Sequence, residues 1–159
     1  MKRRGVIIGL TLVALLLAGA LVFALTFNLS ALETPGETET RLATTAKRWL
    51  VARAVRAEPP PPPPEWSQLT VASGRMQYGG SCASCHGPDG TPRQLGLSMY
   101  PPVPGLSSPR VQAYSDAELF WVIKHGVRHS GMPGFARIHS DEDIWHLVHY
   151  VRSLREGQM

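Results

Sequence analysis

Apolar residues follow one another almost without interruption near the amino terminus, and farther along the chain they recur at helical spacing. No charged residue occurs from Gly5 to Leu32, and residues 5–27 are mostly aliphatic. About 20 apolar residues are enough for a helix to cross the hydrocarbon core of a membrane. We therefore predict a transmembrane helix over residues 5–27, within an anchor segment that covers residues 1–32.

The charges before this helix predict its orientation. Lys2, Arg3 and Arg4 directly precede the apolar run, and such a flank stays in the cytoplasm, so the chain after Phe27 is expected outside. A cleaved signal peptide is the alternative, because residues 22–24 imitate a cleavage site, although the apolar part of a signal peptide is usually only about 7–15 residues long. Both interpretations place the rest of the chain on the outer side.

Residues 37–58 have the pattern of an amphipathic helix. Leu42, Ala46, Trp49 and Leu50 fall at helical spacing, and the acidic residues precede the basic ones, which suits the helix dipole. Two interpretations stay open. The helix is either a basic surface that lies on lipid or against a partner subunit, or a solvated stalk.

A run of six prolines, Pro59 to Pro64, follows this helix. Such a run adopts an extended conformation that rises about 3.1 Å per residue, which gives a stiff spacer of roughly 19 Å. We expect the spacer to hold the following domain at a distance. The sequence therefore predicts a stalk and linker over residues 33–64 and a folded domain over residues 65–159.

Helical patterns dominate this last domain, so the predicted fold class is all-α. Residues 68–85 form the first expected helix, and residues 87–114, rich in Pro, Gly and Ser, are expected to wrap as a loop. Ser115 and Glu118 form a capping box that begins a second helix, which Gly126 ends. A third helix begins at Ser140, and its apolar positions are Ile144, Leu147, Val148, Val151 and Leu154.

Charge and cysteine content exclude several classes of protein. Lys and Arg number eight before Glu65 and eight after it, whereas Asp and Glu number four before Glu65 and eight from it onward. The net charge of +4 therefore belongs to the amino-terminal part, and a nucleic-acid partner, which requires a basic folded domain, is not expected. Two cysteines also exclude a disulfide-dense scaffold.

Cys82, Cys85 and His86 form the sequence Cys-Ala-Ser-Cys-His, which is the attachment signature of a c-type haem. Two thiols three positions apart can each form a thioether with one vinyl group of a porphyrin, and the next residue then supplies an imidazole nitrogen to the iron. A redox dithiol lacks the surrounding strand–helix pattern here, and a zinc site lacks a second ligand pair. We predict one covalently attached haem c.

A haem that carries electrons needs a sixth ligand, and a methionine sulfur raises its reduction potential. Met132 lies in a Gly- and Pro-flanked loop between two expected helices, and we predict that it is this ligand. Met76 lies on the helix of the cysteines, and Met99 follows the motif closely, so neither is favoured. His125 and His129 are the alternatives, which would give a bis-histidine haem of lower potential.

The pattern from about residue 74 to residue 154 resembles the class I cytochrome c family. Gly74 and Tyr78 precede the motif at the spacing which that family uses where its first helix packs on its last. The segment Pro104-Gly105-Leu106 looks like the family's Pro-x-Leu segment, which implies that the Pro104 carbonyl orients His86. The segments that look like the family's axial loop and closing helix are Gly131-Met132-Pro133 and residues 145–154.

The remaining histidines and two tryptophans have less specific roles. His146 and His149 lie three positions apart on one helix and form a less favoured candidate metal pair. Trp121 and Trp145 are expected to pack in the haem domain or to lie near a docking face. The histidines expected at helix surfaces or at the haem rim are His125, His129, His139, His146 and His149.

These patterns together predict a tethered electron carrier on the periplasmic face of a bacterial inner membrane. The protein would ligate and position the haem rather than catalyse bond chemistry by itself. It is expected to serve as a haem subunit of a respiratory oxidoreductase complex, with a free tethered shuttle as the alternative. A haem peroxidase or ligand-binding enzyme needs an open sixth position, and a sensor needs a cytoplasmic output module, so both are less favoured.

Overall fold

The computed structural model describes residues 2–26, 28 and 30–155, and all regular structure in this part of the chain is helical. This confirms the predicted all-α class. Phe27, which the sequence places at the end of the span, and residues 156–159 of the last predicted domain lie outside the described residues. The chain divides into two compact units, one up to Ser30 and one from Ala31 onward.

The first unit is a single helix, α1, over Lys2–Thr26. From Arg3 to Thr26 it is long and apolar enough to cross a membrane. The 24 residues from Arg3 to Thr26 extend about 36 Å at 1.5 Å per residue, compared with a hydrocarbon core of about 30 Å. The hydroxyls of Thr11 and Thr26 donate to carbonyls one turn back, which suits an apolar surrounding. A signal sequence has the same properties, so that alternative stays open.

The second unit contains the other helices of the described residues, connected by loops and turns. Four of them have at least ten residues, and the other three have four residues each. Their bounds are α2 Glu37–Ala57, α3 Gln68–Ser81, α4 Ala83–His86, α5 Gln94–Leu97, α6 Pro109–Gln112, α7 Asp116–His125 and α8 Asp141–Ser153.

Helices α3 and α8 cross at the centre of this unit. They meet at Gly74, where an added Cβ would overlap the carbonyl oxygen of His146. The rings of Tyr78 and Tyr150 contact each other one turn farther along, with centroids 4.9 Å apart. Both contacts confirm that Gly74 and Tyr78 pack against the last helix. The most deeply buried apolar side chains of α8 are Ile144, Leu147 and Val148.

The predicted helix starts at Ser115 and Ser140 are confirmed. Each serine hydroxyl accepts a hydrogen bond from the backbone amide three residues on, at Glu118 or Asp143. The carboxylate of that residue accepts a hydrogen bond from the backbone amide of the serine. Helix α7 ends at Gly126, whose φ of 70° is a conformation that glycine adopts without strain. These capping boxes satisfy amides that would otherwise lack partners at the helix starts.

The first helix of the domain differs from its prediction, because it is divided at Cys82. Helix α3 ends at Ser81, Cys82 departs from helical geometry with a φ of −121°, and α4 resumes at Ala83. The hydroxyl of Tyr78 donates to the carbonyl of Gly87 over 2.5 Å, which fixes the turn after α4. The expected loop over residues 87–114 contains two short helices, α5 and α6.

Helix α2, Glu37–Ala57, confirms the helix predicted over residues 37–58, but it is not the solvated stalk that was one of the two open interpretations. Its Val51 is only 2% exposed, and the guanidinium of Arg48 donates to the carbonyl of Ala113 over 3.2 Å. One face of α2 is therefore part of the second unit. The alternative of a lipid or partner contact stays a prediction for the outer face, where Leu42 and Trp49 are exposed.

The proline run also differs from the expected spacer, because it lies against α8. The indole Nε1 of Trp145 donates to the carbonyl of Pro61 over 3.0 Å. The domain boundaries at residues 32 and 64 stay predictions. The contacts of α2 and of Pro61 nevertheless join residues on the two sides of the boundary at residue 64. Residues 33–64 therefore pack against the following domain and do not act as a spacer.

Candidate functional site

A cavity of about 1110 Å³ lies inside the second unit. This is slightly larger than the usual range of ligand pockets, about 300–1,000 Å³. Its walls come from the region around α4, the loops before α6 and after α7, and one face of α2. The residues that the sequence singles out all line it, namely Cys82, Cys85, His86, Pro104 and Met132.

The division between α3 and α4 shapes the cysteine wall of the cavity. Cys82 and Cys85 are not joined in a disulfide, and both are half-buried. Burial, with the neighbouring Cys85 thiol as a second cause, raises the pKa of Cys82 to about 11. A zinc site would require thiolates and further ligands. No group of three His, Cys, Asp or Glu that could hold a metal ion occurs in the part of the chain that the structure describes.

His86 ends α4 and presents an imidazole that is neutral at pH 7. Burial lowers its pKa, and the carbonyl of Pro104 acts in the opposite direction. Nδ1 is nevertheless buried without a hydrogen bond of normal geometry, so the carbonyl lies near the ring but is not aligned with it. A neutral imidazole is a common metal ligand, and its second nitrogen usually donates to a neighbouring carbonyl.

The loop after α7 brings Met132 to the cavity. The amide of Val127 donates to the carbonyl of Met132 over 3.1 Å, which closes the loop on itself. A Cβ at Gly126 would lie 2.5 Å from the carbonyl carbon of Pro133, so the end of α7 and the loop approach too closely for a side chain. Met132 is half-buried and packs against the hydrophobic core.

Two other candidate ligands also line this cavity. Met99 lies beside Gly131, since an added Cβ there would be 2.7 Å from its sulfur. The sequence analysis did not favour Met99 because it follows the motif closely, but the folded loop returns it to the cavity wall. His129 lines the cavity too, whereas His125 stacks on Trp121, with ring centroids 4.8 Å apart.

The histidines of α8 include one that differs from its prediction as a surface or rim residue. His149 is only 6% exposed, its Nδ1 lies 2.9 Å from the hydroxyl of Thr70, and its ring contacts Trp66 with centroids 4.9 Å apart. It therefore serves as a packing residue between α3 and α8. Trp145 is 3% exposed, as expected for a residue that packs within the domain.

Comparison with known families matches residues 69–151 to the family described as cytochrome C oxidase, cbb3-type, subunit III. The match covers just over half of the chain and runs from α3 into α8. The chain belongs to this family. A member of the cbb3-type subunit III family has a class I cytochrome c domain, so the resemblance inferred from the motifs is confirmed.

A solved structure adds support for the fold of this family member. A chain of the Kuenenia stuttgartiensis reducing HAO-like protein complex is 24% identical, with a TM-score of 0.54, and the alignment covers 60% of this chain. It covers 48% of that chain, so this protein spans about half its length. At this identity the likeness shows the fold alone. The comparison with curated proteins found no match.

The residues of this cavity fit the haem that the cbb3-type family implies. The lining is predominantly apolar and includes two thiols, two imidazoles and two thioether sulfurs, which belong to Cys82, Cys85, His86, His129, Met99 and Met132. It also contains buried polar atoms without partners, among them Nδ1 of His86 and the hydroxyl of Tyr114. Such atoms are costly unless something hydrogen-bonds to them.

The contribution of α2 to the site of this family member was not predicted from the sequence. Ala43, Lys47 and Leu50 line the cavity, although they precede the matched region by some twenty residues or more. The helical spacing of Ala43, Lys47 and Leu50 was the available signal, because it places these three residues on one face. Periodicity shows that a face exists, but it does not show what the face covers.

Proposed function

We propose that this chain is a membrane-anchored monohaem cytochrome that transfers single electrons on the periplasmic face of a bacterial inner membrane. Haem binding and electron transfer follow from the cytochrome c domain. The single covalently attached haem, the membrane face and the tether are the proposal. The observation that supports it best is that Cys82, Cys85, His86 and Met132 all line one apolar cavity.

Each of these residues has a distinct role in the proposal. Cys82 and Cys85 would form the two thioether links that hold the haem, and His86 and Met132 would supply a nitrogen and a sulfur to its iron. Pro104 accepts the Nδ1 hydrogen of His86 once the ring is aligned, which keeps the other nitrogen available to iron. The bound haem supplies a one-electron couple, and the chain excludes water from it by its apolar lining.

We further propose that the protein works as a haem subunit of a respiratory oxidoreductase complex. The support is the description of its family as a subunit of an oxidase. The amphipathic pattern of residues 37–58 no longer argues for a partner, because the inner face of α2 packs on its own domain. The outer face, with Leu42 and Trp49 exposed, remains available to one.

Ligation can be tested by comparing two methionines that line the same cavity. We expect Met132→Ala to change the haem spectrum and to lower the reduction potential, because a methionine sulfur favours the reduced iron. Met99→Ala is the matched control and should leave both unchanged. A changed spectrum for Met99→Ala alone would reassign the ligand, and no change for either variant would point to His129.

Membership of a complex is tested on a native gel of mildly solubilised membranes that is stained for haem and probed for this chain. Migration within a large assembly is the expected result. Migration alone, at about its own size plus detergent, would instead support the free tethered shuttle. Rapid reaction of the purified protein with carbon monoxide would favour the ligand-binding enzyme, because it requires an open or displaceable sixth position.

A further inference from the structure

One part of the cavity wall carries positive charge that the described residues do not balance. Lys47, Arg110 and Arg128 all line the cavity. None of them forms an ion pair within residues 2–26, 28 and 30–155. The one carboxylate in the lining, Glu39, accepts a hydrogen bond from the hydroxyl of Tyr100 over 2.5 Å.

Lys47 and Arg110 lie close enough to repel each other. Lys47 is half-buried, and burial, followed by the nearby guanidinium of Arg110, lowers its pKa. A partly buried cation beside a second cation is unfavourable without a compensating anion. Both side chains reach the cavity from different elements, since Lys47 is on α2 and Arg110 is on α6.

Tyr114 lines the same cavity, lies near Arg110 and provides a second sign of a missing polar partner. It lines the cavity, is only 8% exposed, and its hydroxyl is buried without a hydrogen bond. The guanidinium of Arg48 lies 5.2 Å from the centroid of its ring, and Arg152 donates to its backbone carbonyl. The ring is therefore held in place, and its hydroxyl is an available donor.

The exposure of Leu50 on α2 is a further sign that another group occupies the cavity. Leu50 is 53% exposed, yet it lines the cavity together with the buried Val51. A group that fills the cavity would cover part of this apolar side chain. The inner face of α2 therefore packs on its own domain through Val51 and also supplies part of the cavity wall.

We propose that Lys47, Arg110 and Tyr114 bind a carboxylate of the haem, and that α2 is thereby a functional wall of the haem site. This rests on the proposed function, because the haem is the group that brings the carboxylates. A haem carries two propionate carboxylates on one edge, and an anion that meets two cations and a hydroxyl satisfies all three. The family match begins at residue 69, so α2 adds Lys47 from outside it.

The test measures haem content and reduction potential of the full-length chain purified in detergent. Lys47→Gln removes the cation, and Tyr114→Phe removes only the hydroxyl. Arg56→Gln is the matched control, because it removes a cation from an exposed position of the same helix that does not line the cavity. A cation near the haem favours the reduced state, so its removal lowers the potential.

We expect Lys47→Gln to retain covalent haem and to lower the potential enough to change the reduced-to-oxidised ratio at least twofold at a fixed ambient potential. Tyr114→Phe should shift it in the same direction. If both residues contact one carboxylate, the shifts will not add in the double variant. Arg56→Gln should match the wild type.

Two outcomes would overturn the proposal, and they can be distinguished. A Lys47→Gln variant that holds a full complement of haem at the wild-type potential would show that Lys47 does not face the haem carboxylates, while the proposed electron carrier would stand. A wild-type chain without covalent haem, seen by staining after denaturing electrophoresis, would overturn both.

Discussion

The crossing of α3 and α8 predicts opposite effects for the same substitution at two glycines of one helix. In Gly74→Ala, the new Cβ would overlap the carbonyl oxygen of His146 and lie 3.0 Å from the Cβ of Tyr150. Favourable carbon contacts occur at about 3.5–4.0 Å. Neither of these two neighbours can rotate away, so the helices must move apart.

The magnitude follows from two opposing contributions. Overpacking of a well-filled core costs about 1–3 kcal/mol, and the better helix propensity of alanine returns about 0.5–1 kcal/mol. Because the clash is with backbone, we expect Gly74→Ala to lose at least about 1 kcal/mol. For a unit of this size that lowers the thermal midpoint by roughly 4 °C or more.

Gly79→Ala is the matched control, since an added Cβ at that exposed position of α3 would have no atom within 4 Å beyond its own chain neighbours and helix backbone. This variant should gain only the better helix propensity of alanine, which raises the thermal midpoint of unfolding by roughly 2–4 °C. The assay is thermal unfolding of the haem-loaded chain in detergent, followed by helical circular dichroism. A Gly74→Ala chain as stable as the wild type would refute the packing argument.

Two further predictions concern buried polar groups. Tyr78→Phe should cost about 0.5–1.5 kcal/mol, because the buried carbonyl of Gly87 loses the short bond from the Tyr78 hydroxyl and keeps only the long one, 3.5 Å, from the amide of Gly90. Thermal unfolding measures the loss. Burial lowers the pKa of His149 below its usual 6.5, so the unfolded chain binds a proton more readily. The contribution of neutral His149 to the free energy of unfolding is then fully present above pH 6.5, and it decreases as the pH falls below that value. Thermal midpoints measured between pH 7 and pH 5 will show this decrease.

Controls for these two predictions come from the same chain. Tyr100→Phe removes an exposed tyrosine hydroxyl and should change stability far less than Tyr78→Phe does. His149→Gln should flatten the pH dependence, whereas the exposed His125→Gln should leave it unchanged. A slope that survives in His149→Gln would assign the titration to another group.

The elements that the sequence predicts well are those with strong local signals. Ser115 and Ser140 precede acidic residues and apolar periodicity, and both begin helices. Gly126 ends α7 because its positive φ suits glycine. These features depend on neighbouring residues alone, so a single sequence is enough to find them.

The features that the sequence could not predict depend on contacts between distant residues. The division of the expected helix at Cys82 is an exception, because Gly79 and Gly80 directly before it are a local breaker signal that the prediction did not use. Met99 reaches the cavity only because its loop folds back beside Gly131. The placement of α2 depends on Ala113, which is 65 positions away from its partner Arg48.

The long-range contacts of α2 and the proline run have a consequence for the order in which the protein assembles. The bonds that attach them to the domain join residues 65 and 84 positions apart, whereas the two thiols and the imidazole lie within five consecutive residues. Contacts of large sequence separation pay the greater loop-closure entropy and tend to form late in folding. If the haem is attached as proposed, we expect it to reach the thiols before these distant contacts form, so that the walls of the site close around it afterwards.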